Sequence, residues 1–110
     1  MSQFIYRIKP TRIGMLVEGP TDRETQVLGQ HFAYLEKLTA SGQVLVAGRT
    51  PTVDEGTFGI VVFEAESETE AERLMANDPA VLHGVMRAEL WPFHVALWSA
   101  RGPQVEADGA

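Results

Sequence analysis

The chain has 110 residues, which fits one domain and is long enough to bury a core without staples. Fifteen acidic against nine basic side chains give a formal charge of −6 with no basic stripe, which excludes nucleic acid as an expected partner, and the absence of cysteine excludes disulfides, a thiol nucleophile and a thiolate metal site. No apolar run approaches the roughly 18 residues of a membrane span, and Met1-Ser2-Gln3 leads straight into a strand-like run, so a cytoplasmic protein with no membrane partner is expected.

Phe4, Tyr6 and Ile8 alternate with Ile5, Arg7 and Lys9, the period of a strand, and Pro10 ends or bends it. Thr11–Pro20 reads as an irregular connection, longer than the usual median of about 4–6 residues. Its Ile13, Met15, Leu16 and Val17 suit either a lid over a pocket or a patch on the core or a subunit contact. Thr21–Ser41 reads as one amphipathic helix, because Leu28, His31, Leu35 and Leu38 recur at spacings of three and four. Thr21-Asp22-Arg23-Glu24 is a capping box, and Gly42 stands where a left-handed residue ends a helix. This helix sets an imidazole among the apolar residues of the face turned to the sheet.

Gln43–Arg49, with the run Val44-Leu45-Val46-Ala47, reads as a second strand, and Thr50–Thr57 as a turn or hairpin loop. Phe58–Ala65 is a third strand with apolar residues on both faces, in which Gly59 marks a bulge or a close backbone approach. Ser67-Glu68-Thr69-Glu70 is a second capping box that opens a helix running to Ala76 or Asn77. Asp78-Pro79 starts one further turn, Ala80–His83, with Asp78 as N-cap, and Gly84 closes it. Val85–Trp98 is the last strand, and the phase slip at Trp91-Pro92 predicts a bulge or a change of partner. Residues 99–110 read as a loose polar tail.

The order β-α-β-β-α-β predicts an α+β, ferredoxin-like domain over residues 1–98: one antiparallel sheet with both helices on one face. The helices cover one side only, yet the third and fourth strands offer large apolar residues to both. A homodimer with facing sheets follows as the expectation.

His31 and Asp78 are the candidate chemical pair. Taken alone, His31 reads as a core histidine satisfied by backbone or one carboxylate, and Asp78 as an N-cap. The second reading is compatible with chemistry: a carboxylate held by helix amides stays ionised and can fix the tautomer of a histidine that carries the proton. Arg49 could hold a substrate anion or lie solvated at a strand end, and Tyr34, three residues after His31, could line the same pocket or pack. His83 and His94 show no metal-ligand spacing, no phosphate loop appears, and Ser41, Ser67 and Ser99 lack a nucleophile context.

These residues carry a resemblance. His31-Phe32-Ala33-Tyr34-Leu35, then Gly42 with Val44-Leu45-Val46-Ala47-Gly48-Arg49, Glu66-Ser67-Glu68 with Ala71-Glu72, Asp78-Pro79-Ala80-Val81 with Gly84, and Glu89-Leu90-Trp91-Pro92-Phe93 resemble the YCII-related (YciI-like) family, in order. The resemblance implies a dimeric α+β barrel fold and a His–Asp active-site pair, whose matching positions here are His31 and Asp78. One relative removes chloride from a chlorinated hydroxyquinol, and muconolactone isomerases share the barrel type. The implied activity is proton transfer on a small aromatic or enolisable molecule, by a lyase, isomerase or hydrolase-like enzyme with no cofactor or metal. His31 and Asp78 would be catalytic, with Arg49 and Tyr34 as substrate contacts. The Thr11–Pro20 insertion, and Arg49 where many members carry proline, depart from the family pattern. A non-catalytic dimeric module that binds a small ligand or a protein is the alternative, and a haem-binding relative of the same barrel type a third.

Overall fold

The computed structural model describes residues 1–104, so residues 105–110 of the expected tail lie outside the described residues. Strands β1 (Ser2–Pro10), β2 (Val44–Arg49), β3 (Gly59–Ala65) and β4 (Met86–Phe93) form one sheet in the order β2-β3-β1-β4. Every neighbouring pair is antiparallel. Helices α1 (Gly14–Val17), α2 (Asp22–Ala40), α3 (Glu68–Ala76) and α4 (Pro79–Leu82) complete the α+β, ferredoxin-like domain, with α2 and α3 packed on one face of the sheet.

Strand periodicity dictates that face. Phe4, Tyr6 and Ile8 of β1 turn inward beside Val61, Phe63 and Ala65 of β3 and meet Leu35, Ala71 and Leu74 from the helices. The Tyr6 and Phe63 rings meet edge to face at 5.7 Å, and Phe4 lies 5.9 Å from Phe63. Helix α2 begins where its capping box predicts. Thr21 Oγ1 accepts from Glu24 N, and Glu24 Oε1 accepts from Thr21 N. At Gly42 the chain turns with φ +86°, which a side chain rarely adopts.

The structure departs from the sequence expectations at four places. Residues 11–20 are not wholly irregular: α1 forms one turn there, and Met15 is buried with Val27 and Val85 in a small second core. The second capping box is half made, since Ser67 Oγ accepts from Glu70 N while the Glu70 carboxylate pairs with Arg73 at 2.5 Å instead. Strand β4 ends at Phe93 rather than Trp98, and no bulge interrupts it, because Phe4–Pro92 and Gln3–Phe93 continue one register. The phase slip marked the chain leaving the sheet, and Pro92 is tolerated on an edge strand, where its missing N–H breaks no ladder. Of the two readings of Gly59 the close backbone approach is the one that forms, since a Cβ there would stand 3.1 Å from Ile8 Cγ1 and 3.2 Å from the Gly48 carbonyl oxygen. The sheet's bulge lies instead in β2, between Val44 and Val46.

The α1 segment is pinned to α2 by a fork. Arg12 donates to Glu24 through Nε at 3.0 Å and Nη2 at 2.6 Å. Those bonds, then the Thr21 amide, hold the Glu24 carboxyl at about 2, below its ordinary 4.5. A carboxyl lowered on folding stabilises the fold above its ordinary value and loses that share as pH falls through the folded one. The melting-temperature gap between wild type and Arg12→Ala is therefore expected to be widest near neutrality and to close between pH 4.5 and about 2 in a series of thermal melts.

Candidate functional site

Asp78 is the N-cap of α4, and its Oδ1 accepts from Ala80 N at 3.0 Å. The same oxygen lies 2.6 Å from His31 Nδ1 on α2. Its other oxygen, Oδ2, accepts from the Tyr6 hydroxyl of β1 at 2.7 Å. Three elements thus meet on one carboxylate that is 0% exposed. A helix start explains an aspartate at this position, but an N-cap alone needs only one of these bonds.

The donor set assigns the protons. Burial, then the charge and hydrogen bond of Asp78, push the Tyr6 phenol far above the usual tyrosine range, so Tyr6 keeps its proton and donates it. Ala80 N can only donate. A carboxylate that receives both is an acceptor toward His31 as well, so Nδ1 carries a hydrogen and Nε2 is the ring nitrogen left to face the cleft and exchange a proton there. The His31 side chain is 15% exposed, no hydrogen bond of the described residues engages Nε2, and the ring lines an open cleft of about 1080 Å³. Phe32 and Leu35 of α2, Met15 and Leu16 of α1, and Arg49 of β2 form its walls with it.

Arg49 reaches that cleft through the β2 bulge. Val44 pairs with Phe63, but Val46 pairs with Val62 and Arg49 with Gly59. Leu45 is the extra residue, and it reverses the alternation after it. Strict alternation from Val44 would send Arg49 to the far face; the bulge turns it to the helix side. Its guanidinium makes one long contact, Nη1 to the Thr50 carbonyl oxygen at 3.4 Å.

Tyr34 is directed elsewhere. Its hydroxyl donates to the Leu74 carbonyl oxygen at 2.7 Å, tying α2 to α3, and the residue is not part of the cleft wall. Burial and the Asp78 charge push its phenol up to about 12. His83 and His94 are exposed and join neither the pair nor the cleft. Among the described residues no group of three His, Asp or Glu side chains could hold a metal, and no helix is long and apolar enough to cross a membrane. Sequence reading missed Tyr6. The available signal was a tyrosine on the inward stripe of β1, between Phe4 and Ile8, where a buried hydroxyl must find a partner.

No curated protein matches the chain. Among solved structures it is similar to 5-chloro-2-hydroxyhydroquinone dehydrochlorinase (TftG) from Burkholderia phenoliruptrix AC1100, in complex with 2,5-dihydroxybenzoquinone, at 25% identity and a TM-score of 0.62, over 84% of this chain and 93% of that one. A family model for the YCII-related domain matches residues 6–94, a span that holds Tyr6, His31, Arg49 and Asp78, and the chain belongs to the YCII-related family.

Proposed function

We propose that this protein is a small-molecule enzyme that moves a proton within the cleft. His31 Nε2 takes up or delivers the proton, Asp78 holds the ring and offsets the charge it gains, and Arg49 meets the substrate from the facing strand. One observation carries the reading: an imidazole locked at Nδ1 by a fully buried carboxylate, 2.6 Å away, on the wall of an apolar cleft. The likeness to a dehydrochlorinase supports it, since that name describes removal of hydrogen chloride from a small ring compound. An aromatic or enolisable molecule is the substrate class that such a base can serve.

The experiment is proton exchange in deuterium oxide with a panel of enolisable lactones and chlorinated hydroxyquinols, read by NMR together with chloride release. In one turnover a substrate proton passes to Nε2 and a deuteron returns, or chloride leaves with the bonding pair. Turnover by wild type that persists unchanged in His31→Gln would remove His31 from the mechanism.

A second copy of the chain is the proposed partner. On the sheet face away from the helices, Trp91 is 43% and Phe93 42% exposed on the edge strand β4. On that face Arg7 stacks over Trp91 at 5.8 Å and pairs with Glu89, yet its buried Nε has no hydrogen-bond partner. An apolar face with an orphaned donor at its centre fits a protein interface better than water. Sedimentation at micromolar concentration should give a dimer, and Phe93→Glu should shift it toward monomer. A wild-type monomer under those conditions would overturn the assembly.

A further inference from the structure

We infer that the cleft selects a small monocarboxylate with an apolar body, and that Arg49 is the group that receives the carboxylate. The inference rests on the proton-transfer reading for its meaning as a substrate, not for its test.

Charge gives the first argument. The protein carries a net charge of −6, which disfavours anions near its surface at large, so an anion enters only where a local cation draws it. Arg49 is the one lysine or arginine in the cleft wall among the described residues. Among the described residues it lies within ion-pair distance of no carboxylate: the four salt bridges leave it out, and Glu36, the acid of the same wall, does not reach it. The other folded-in arginines are committed, Arg7 to Glu89 and Arg12 to Glu24.

Position gives the second argument. An arginine at a strand end needs no bulge to reach water, and this one is turned by a bulge onto the side of the sheet where His31 stands. The strand opposite it carries Gly59, so no side chain rises from the neighbouring position to crowd the guanidinium. Thr52 and Thr57 also line the cleft, with their hydroxyls bonded to each other at 2.7 Å, which leaves the adjoining floor polar but uncharged. Elsewhere the lining is dominated by aliphatic and aromatic side chains.

Shape chooses among anions. A guanidinium presents a planar fork of donors that matches both oxygens of a carboxylate, and a phenolate offers a single oxygen. Phe32, Leu35 and Leu16 share the cleft wall with Arg49 and His31, so the apolar body of a carboxylate held by Arg49 has apolar surface in the same cleft to rest on.

The test compares matched acids and amides, benzoate with benzamide and cyclohexanecarboxylate with its amide, by NMR titration of the labelled protein at low salt. At least one acid is expected to bind roughly tenfold or more tightly than its amide, the scale of one charge-assisted hydrogen bond. The gap should shrink with added salt, collapse in Arg49→Leu and survive in part in Arg49→Lys. Arg49→Leu removes only a 3.4 Å contact to a carbonyl, so the fold is expected to stand, as its spectrum would show. Equal affinities, a gap that survives Arg49→Leu, or no binding of either acid overturns the inference. His31→Gln should retain the gap. A retained gap without proton exchange would sink the proton-transfer reading alone, and exchange without a gap would sink this one alone.

Discussion

Asp78→Ala should cost about 3–5 kcal/mol of folding stability, the range for stripping one partner from a buried charged network. That is a large share of the roughly 5–15 kcal/mol that holds a domain folded. The loss follows from counting donors. The Tyr6 hydroxyl, His31 Nδ1 and Ala80 N all converge on this carboxylate, and the variant leaves all three without an acceptor in a place with no water access. Tyr6→Phe removes one donor and keeps the other two, so it should cost less, about 1.5–3 kcal/mol for a bond to a charged group. Denaturant unfolding of wild type and both variants at one pH checks the order. Were Asp78→Ala to cost under about 1 kcal/mol, the carboxylate would not be holding β1, α2 and α4 together.

The sequence was legible where one residue's local chemistry decides its structure. Thr21 with Glu24, Asp78 with Pro79, and Gly42 are caps whose geometry depends on neighbours in the chain, and each forms as read. The element order likewise leads to the ferredoxin-like sheet. Reading failed where partners come from far along the chain. The apolar stripe of β2 cannot say that Leu45 is the extra residue, because only pairing with β3 reveals it. Without that bulge the facing of Arg49 was open. The slip at Trp91-Pro92 reads as a bulge or a change of partner because hydrophobic phase alone cannot tell a kinked or re-paired strand from one that has ended. Tyr34 and Tyr6 show the same limit. Tyr34 lies on α2 three residues from His31, yet its hydroxyl serves Leu74, while Tyr6, 72 positions from Asp78 in sequence, completes the carboxylate's shell. Of the two readings of Tyr34, a pocket residue or a packing one, the bond to Leu74 fits packing, and it is the sheet that brings Tyr6 to the carboxylate.

His31→Ala should separate chemistry from structure in a single protein. If Nε2 carries the proton, turnover should fall by roughly 10²- to 10⁴-fold, the usual contribution of a positioned acid or base. Stability should move far less than in Asp78→Ala. The carboxylate keeps its bonds from Tyr6 and Ala80 N, and the space vacated by a ring on the cleft wall opens to solvent, which can hydrate Oδ1. A purely structural His31–Asp78 pair makes the opposite demand on turnover, which would then survive the loss of the imidazole. Added imidazole sharpens the contrast. It fits the vacated space, can donate to Asp78 Oδ1 and can present its second nitrogen to the cleft, so it should restore part of the turnover of His31→Ala. A structural pair offers no turnover to restore, and imidazole would then act on the unfolding midpoint alone.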